Sequence, residues 1–594
     1  MFKARAWAAC SLALLASAAS FSPKPEGITV VKSNKFPGVS ISYKQTCICE
    51  TTHGVKGYSG HVNLPRTESR NYESHMYFWF FEARHDAAKA PLTMWLSGGP
   101  GVPSSNAALN ENGPCNVLED SKTTQLNPWS WNEKVNMLYI DQPVQVGYSY
   151  DTLVNGTIDL VDSPFAYKPA NFSTGVPETN LTFLTGTFAS QKLANAPNTS
   201  VAAAPFIYEF MQTWMQEFPP YKPHTNNFSI WGQSYAGHYA PVIAAHFSTQ
   251  NALIAASNKN SSAIPLHVET LGLVNACIDI DTQMPYYPKY AINNTYGIRA
   301  INQSQYDAAM AAEPMCKNMT ATCRSLAANK DPRSIGNNAD VNKACKGAFD
   351  YCFKNMHSAY TLSGRNVFDV TSPAYPQAFP PKWAAGYLNS ADVQRDLGVG
   401  LNWTGQSVPV AVGFDTTGDF PLVRGVPILR SLLAHGTKVA LVYGDQDYQC
   451  NWLGGEAVSL AIASAGFEGA GYADIHTNAS YVGGVVRQVG GLSFSRVFQA
   501  GHAAPYYQPQ TAQQIFNRVM FDTDVSTGTV ASHNYTSSGP KTAWSVSEPL
   551  AYNKTAQCYV WDVLETCTPE EGIVLRSGRA VTRDFVLLGN GTVG

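Results

Sequence analysis

Short apolar runs recur along the chain at intervals that fit strands alternating with helices. Tyr58-Ser59-Gly60-His61-Val62-Asn63-Leu64 alternates with period two, and Met76 to Phe81 is an unbroken aromatic and apolar run. Leu92 to Leu96, Val135 to Ile140, Phe228 to Trp231, Leu271 to Asn275, Lys438 to Tyr443 and Leu492 to Phe498 are further runs of strand length. The period lengthens between them. Phe206, Phe210, Trp214 and Phe218 form one helical stripe, which predicts a core-facing helix from Phe206 to Phe218. Ala240 to His246, Ser390 to Leu397 and Pro427 to His435 also read as helices. The alternation predicts an α/β fold with a mostly parallel central sheet, whose reactive residues gather where strands end.

Three strand ends carry chemistry. Phe228 to Trp231 leads into Gly232-Gln233-Ser234-Tyr235-Ala236-Gly237, a strand, a sharp turn and a helix with a serine at the bend. Lys438 to Tyr443 leads into Gly444-Asp445-Gln446-Asp447, and Leu492 to Phe498 into Gln499-Ala500-Gly501-His502. Serine, aspartate and histidine in that order match the triad order of an α/β-hydrolase, with Ser234, Asp447 and His502 as candidates. Spacing alone does not choose between Asp445 and Asp447. Leu92 to Leu96 opens into Ser97-Gly98-Gly99-Pro100-Gly101, whose amides suit an anion site and equally a tight turn. His238 beside the turn and Asp141 after a strand read as packing and loop-fixing residues.

Composition narrows the setting. Forty basic and 43 acidic residues give a net charge of −3, with no long run of either sign, which argues against a nucleic-acid partner. Lys3 and Arg5 precede an apolar run from Ala6 to Ala16 and then small residues, the layout of a cleaved secretory leader over residues 1–20. No later stretch is apolar for the twenty or so residues of a membrane span. Fourteen N-x-[ST] sites fit a secreted, extracellular glycoprotein. Residues 21–522 are expected to form the catalytic domain. Within it lie a solvated insertion at about 153–205 and a less regular one at about 280–380, and a Ser/Thr-rich extension of unread purpose follows over 523–594. Without Cys10 in the leader, eleven cysteines remain, an odd count that is expected to leave at least one without an intramolecular partner. Nested spacing suggests Cys316–Cys352 and Cys323–Cys345. Cys47, Cys277, Cys558 and Cys567 are left unassigned. Metal binding by that cluster is disfavoured because no histidine sits at ligand spacing within it.

From Gly57 to Gln508 these motifs together resemble the secreted serine carboxypeptidases, and the Trp95-Leu96-Ser97-Gly98-Gly99-Pro100-Gly101-Val102 variant is most similar to fungal carboxypeptidase S1-type enzymes. The resemblance implies hydrolysis of the C-terminal bond of peptides and proteins through an acyl-enzyme, with no cofactor and no metal. It also implies a cap-like insertion over the site, Asp447 as the triad acid, and an oxyanion hole from the Gly99 and Tyr235 amides; Cys49–Cys115 is a further candidate disulfide. The family's carboxylate-binding positions fall on Ser97, Gly98, Glu111 and Gln233, where Ser97 and Gln233 depart from the usual asparagine and glutamate. With a glutamine in place of one of two paired acids, carboxylate binding is expected to weaken less steeply as pH rises. Cys450 matches a free cysteine that lines the substrate pocket of yeast-type relatives. Two other readings fit the same residues: an acyltransferase or lyase on this scaffold, and a catalytically inactive glycoprotein.

Overall fold

The computed structural model describes residues 24–590 other than 69, 258–261, 464–465 and 546–555. The leader expected over residues 1–20 lies outside them. Twelve strands form one sheet: β1 Thr29–Lys32, β2 Ser40–Thr46, β3 Gly57–Leu64, β4 Ser74–Phe81, β5 Leu92–Leu96, β6 Asn136–Ile140, β7 Asn227–Gln233, β8 His267–Val274, β9 Lys438–Gly444, β10 Ala473–Asn478, β11 Tyr481–Val489 and β12 Leu492–Val497. Their spatial order is β1-β2-β3-β4-β6-β5-β7-β8-β9-β12-β11-β10. The six central strands from β6 to β12 in that order are mutually parallel, and both flanks are antiparallel.

The central strands are apolar throughout because both faces are covered. On β5, Leu92, Met94 and Leu96 enter one buried cluster while Trp95 enters the cluster on the other face. Helix α1 spans Ser104–Asn110, α2 Ser200–Glu217 and α3 Ala236–Ala256. The α2 stripe of Phe206, Phe210, Trp214 and Phe218 is buried in the first cluster with Phe78 and Phe80, each ring contributing about 2 kcal/mol. Helix α2 begins six residues before the expected Phe206 despite Pro205 inside it. Thr199 caps it, and Ser200 donates to Asp419 through both its amide (2.8 Å) and its hydroxyl (2.6 Å). These tertiary anchors outweigh the hydrogen bond that proline removes.

Helices α4 Gln303–Lys330 and α5 Ala339–Cys352 form a hairpin closed by Cys316–Cys352 and Cys323–Cys345. Residues 153–189 are more ordered than their Thr- and Asn-rich composition suggests. Strands Leu153–Asp159, Ser163–Pro169 and Phe183–Ala189 make a separate small sheet. Its Ile158, Leu160, Tyr167 and Phe188 share a buried cluster with Val560, Val563 and Leu575 from beyond residue 556. The insertion thus finds its apolar partner in the far C-terminal segment, which Cys558–Cys567 closes into a loop. Helix α6, Pro509–Met520, covers the second face of the large sheet. Among the described residues no helix is long and apolar enough to cross a membrane.

Candidate active site

At the end of β7 the chain turns sharply and Ser234 adopts φ +63°, a left-handed conformation that costs about 1–2 kcal/mol for a residue with a side chain. The cost is met by dense backbone bonding. The Ser234 amide donates to the Val274 and Asn275 carbonyls (3.1 and 3.2 Å), and its carbonyl accepts from Gly237 and Cys277 (3.0 and 3.1 Å). The turn also needs bare neighbours. A Cβ on Gly98 would lie 2.5 Å from the Ser234 Cβ, and one on Gly237 would lie 2.3 Å from the Cys277 carbonyl oxygen. Helix α3 starts two residues beyond the serine, with its positive end toward the turn.

Asp447 and His502 stand on the loops that leave β9 and β12. His502 Nδ1 is 2.7 Å from Asp447 Oδ2. With the Asp447 carboxylate as acceptor, Nδ1 is the donor and Nε2 is the ring nitrogen left to accept a proton. The wholly buried carboxylate also accepts from Asn275 Nδ2 (3.0 Å) and from the Gln449 and Cys450 amides (2.9 and 3.3 Å). Phe368 packs on the His502 ring, and its carbonyl accepts the His502 amide (2.9 Å). Asp445 is committed elsewhere. It pairs with the buried Arg496 (2.8 Å) and accepts from the Tyr296 hydroxyl (2.5 Å) and the Gln499 amide (2.9 Å).

Ser234, His502, Gly98, Gly99, Glu111 and Gln233 line one cavity of 440 Å³. Among the described residues neither the Gly99 nor the Tyr235 amide donates to a protein acceptor. Gln233 Nε2 donates to Glu111 Oε2 (2.9 Å) and to the His502 carbonyl (3.0 Å). Burial raises the Glu111 pKa to about 7 against the weaker pull of His502, Gln233 and Lys382. Ser97 lies behind this wall at 4% exposure, its hydroxyl accepting from Trp95 Nε1 (3.3 Å). The carboxylate set carried over by resemblance therefore reaches the cavity at three of its four positions.

Cys450 is a correction. It is not a free thiol but is joined to Cys277. Both residues lie on loops leaving the paired strands β8 and β9, which brings their Cα atoms to 5.2 Å, within disulfide range. No cysteine is free among the described residues. Although Asp447, Cys450 and His502 cluster within 4.8 Å, the half-cystine has no thiolate to offer a metal. The candidate pair Cys49–Cys115 is joined. His238 is buried, stacked on Tyr235 with Nε2 3.1 Å from the Phe420 carbonyl. Asp141 fixes its loop by accepting from the Ser105 and Tyr148 amides (2.8 and 3.1 Å).

Sequence reasoning missed Asn275, Arg496, Lys382, Trp561, Asp562 and Glu565. Asn275 had a signal, the end of a strand beside the nucleophile turn. The last four line the cavity but come from segments without periodicity.

The serine carboxypeptidase family model matches residues 49–522. Carboxypeptidase S1 homolog B of Arthroderma otae is 44% identical, over 98% of this chain and 93% of its own length. Carboxypeptidase S1 of Penicillium janthinellum is 31% identical, over 80% of this chain and 98% of its own. The crystal structure of a prohormone-processing carboxypeptidase from Saccharomyces cerevisiae shares the fold, with a TM-score of 0.56 at 20% identity over 79% of this chain and 91% of that one. With a serine at a strained strand-to-helix bend, a buried aspartate–histidine couple and a sheet of this topology, the chain belongs to the serine carboxypeptidase family.

Proposed function

We propose that the protein is a secreted enzyme that removes single residues from the C-terminus of peptides and proteins, with Ser234 as nucleophile, His502 as general base and acid, and Asp447 as its orienting partner. His502 Nε2 takes the hydroxyl proton as Ser234 Oγ attacks the carbonyl carbon of the last peptide bond. The developing oxyanion is received by the Gly99 and Tyr235 amides. Asp447 holds the imidazole in the required tautomer and stabilises it once charged. The proton passes to the leaving amine, the C-terminal amino acid departs, and water deprotonated by His502 hydrolyses the acyl-serine.

The observation that carries this reading is the opening of Ser234 and His502 on the same cavity as the Glu111–Gln233 pair. A hydrogen-bonded acid and amide in the same cavity suit a free carboxylate, which an enzyme that recognises only an acyl group has no need to hold. Glu111, protonated below about pH 7, can donate to a substrate carboxylate. Secretion is supported by the basic and apolar leader pattern and by five disulfides among the described residues.

The test is incubation of the purified protein with the blocked dipeptide Z-Phe-Leu. Free leucine is the expected product, and it should vanish with Ser234→Ala or after fluorophosphonate labelling. Leucine should be released together with the free acid Z-Phe; leucine released with a Z-Phe ester of an added alcohol, and no Z-Phe acid, would sink the reading.

A further inference from the structure

We propose that Lys382 is the cation that receives the substrate's C-terminal carboxylate, and that the segment beyond residue 556 holds it in the cleft. The inference rests on the carboxypeptidase reading and adds a binding residue to it.

Beyond a protonated Glu111, a carboxylate entering this cavity meets few side-chain donors. The Ser97 hydroxyl lies behind the wall. Gln233 Nε2 already spends both hydrogens, on Glu111 and on the His502 carbonyl. Among the described residues that line the cavity, Lys382 is the one lysine or arginine. Its Nζ is 2.7 Å from Glu565 Oε2, an interaction that occupies one of three ammonium hydrogens and leaves two to donate. It also stands close enough to Glu111 for each to shift the other's titration.

The surroundings of Lys382 are built. On one side the Gln377 amide donates to the Glu565 carbonyl (2.7 Å). On the other, Trp383 meets Tyr559 edge to face at 4.9 Å. The Tyr559 hydroxyl accepts from the Gly386 amide (3.0 Å) and is bonded to Ser121 (2.8 Å). Trp561, Asp562 and Glu565 all face the same cavity. The C-terminal segment thus clamps the backbone on both sides of Lys382 and supplies the carboxylate that fixes its ammonium. A charge-assisted hydrogen bond from a held lysine is a strong way to seize a carboxylate in a partly dry cleft.

The experiment compares Z-Phe-Leu, which has a free carboxylate, with the ester Z-Phe-OMe, which has none. Lys382→Met should raise KM for the acid roughly tenfold or more with kcat little changed, and leave ester turnover as in the native enzyme. Lys382→Arg should restore most of the loss. Equal losses on both substrates would mean that Lys382 only packs the wall, and an unchanged KM for the acid would mean that it binds nothing; either overturns the proposal. Native protein that turns over the ester but releases no leucine would instead sink the carboxypeptidase reading.

Discussion

Two aspartates two residues apart on one loop have opposite jobs, and their partners show why. Asp447 faces an imidazole that gains charge in the proposed reaction, whereas Asp445 faces a guanidinium that is always charged. Asp447→Asn should therefore lower kcat by about 10⁴-fold, because an amide favours the wrong imidazole tautomer, while the thermal midpoint moves little. Asp445→Asn leaves Arg496 buried without its counter-charge and should cost about 3–5 kcal/mol of stability, with kcat per folded molecule near that of the native enzyme. Steady-state kinetics beside denaturant unfolding separate the two. Stability loss in Asp447→Asn with activity retained would reverse the assignment.

Elements differ in how openly the sequence declares them. The parallel strands were legible because burial on both faces forces continuous apolar runs, and Ser234, Asp447 and His502 were legible because each follows such a run. The edge strand β10 and its neighbour β11 were not: β10 shows Asp474, His476 and Asn478 to solvent, and the apolar run of β11 is interrupted by Gly483 and Gly484. The small sheet from Leu153 to Ala189 was hidden because its partner lies some 370 residues away, at Val560 and Val563. The role of Cys450 was hidden for the same reason. Its partner Cys277 sits on a loop whose nearness depends on β8 pairing with β9. That disulfide ties the Asp447 loop to the chain just after the nucleophile's own supports. Native protein should accordingly keep full activity in organomercurial, and Cys450→Ser should lose about 2–5 kcal/mol of stability and expose one reactive thiol at Cys277. Inactivation of the native enzyme by stoichiometric mercurial would contradict the pairing.

Across the whole molecule, buried titratable groups set how stability follows pH. Burial raises Glu111, Asp141 and Asp562 to about 7 and Asp419 to about 6, so the folded chain keeps protons that the unfolded chain has lost above about pH 4.5. His61, His238 and His357 are lowered to about 4 by burial, so the unfolded chain holds protons below about 6.5 that the folded chain refuses. The first group loses stability as pH rises through its raised pKa values. The second loses stability as pH falls from 6.5 towards 4. Between pH 4.5 and 6 the two groups of side chains therefore pull the slope of stability against pH in opposite directions. His61 lies far from the nucleophile, with Nε2 3.0 Å from the Tyr148 carbonyl, and glutamine can replace that bond without titrating. In His61→Gln the unfolded state binds one proton fewer. The slope of unfolding free energy against pH over this window should then become more negative than that of the native protein by about 1.4 kcal/mol per unit. Urea unfolding at pH 4.5, 5.2 and 6.0 measures both slopes. A slope that stays the same or turns positive in the variant would show that His61 does not enter the folded state neutral.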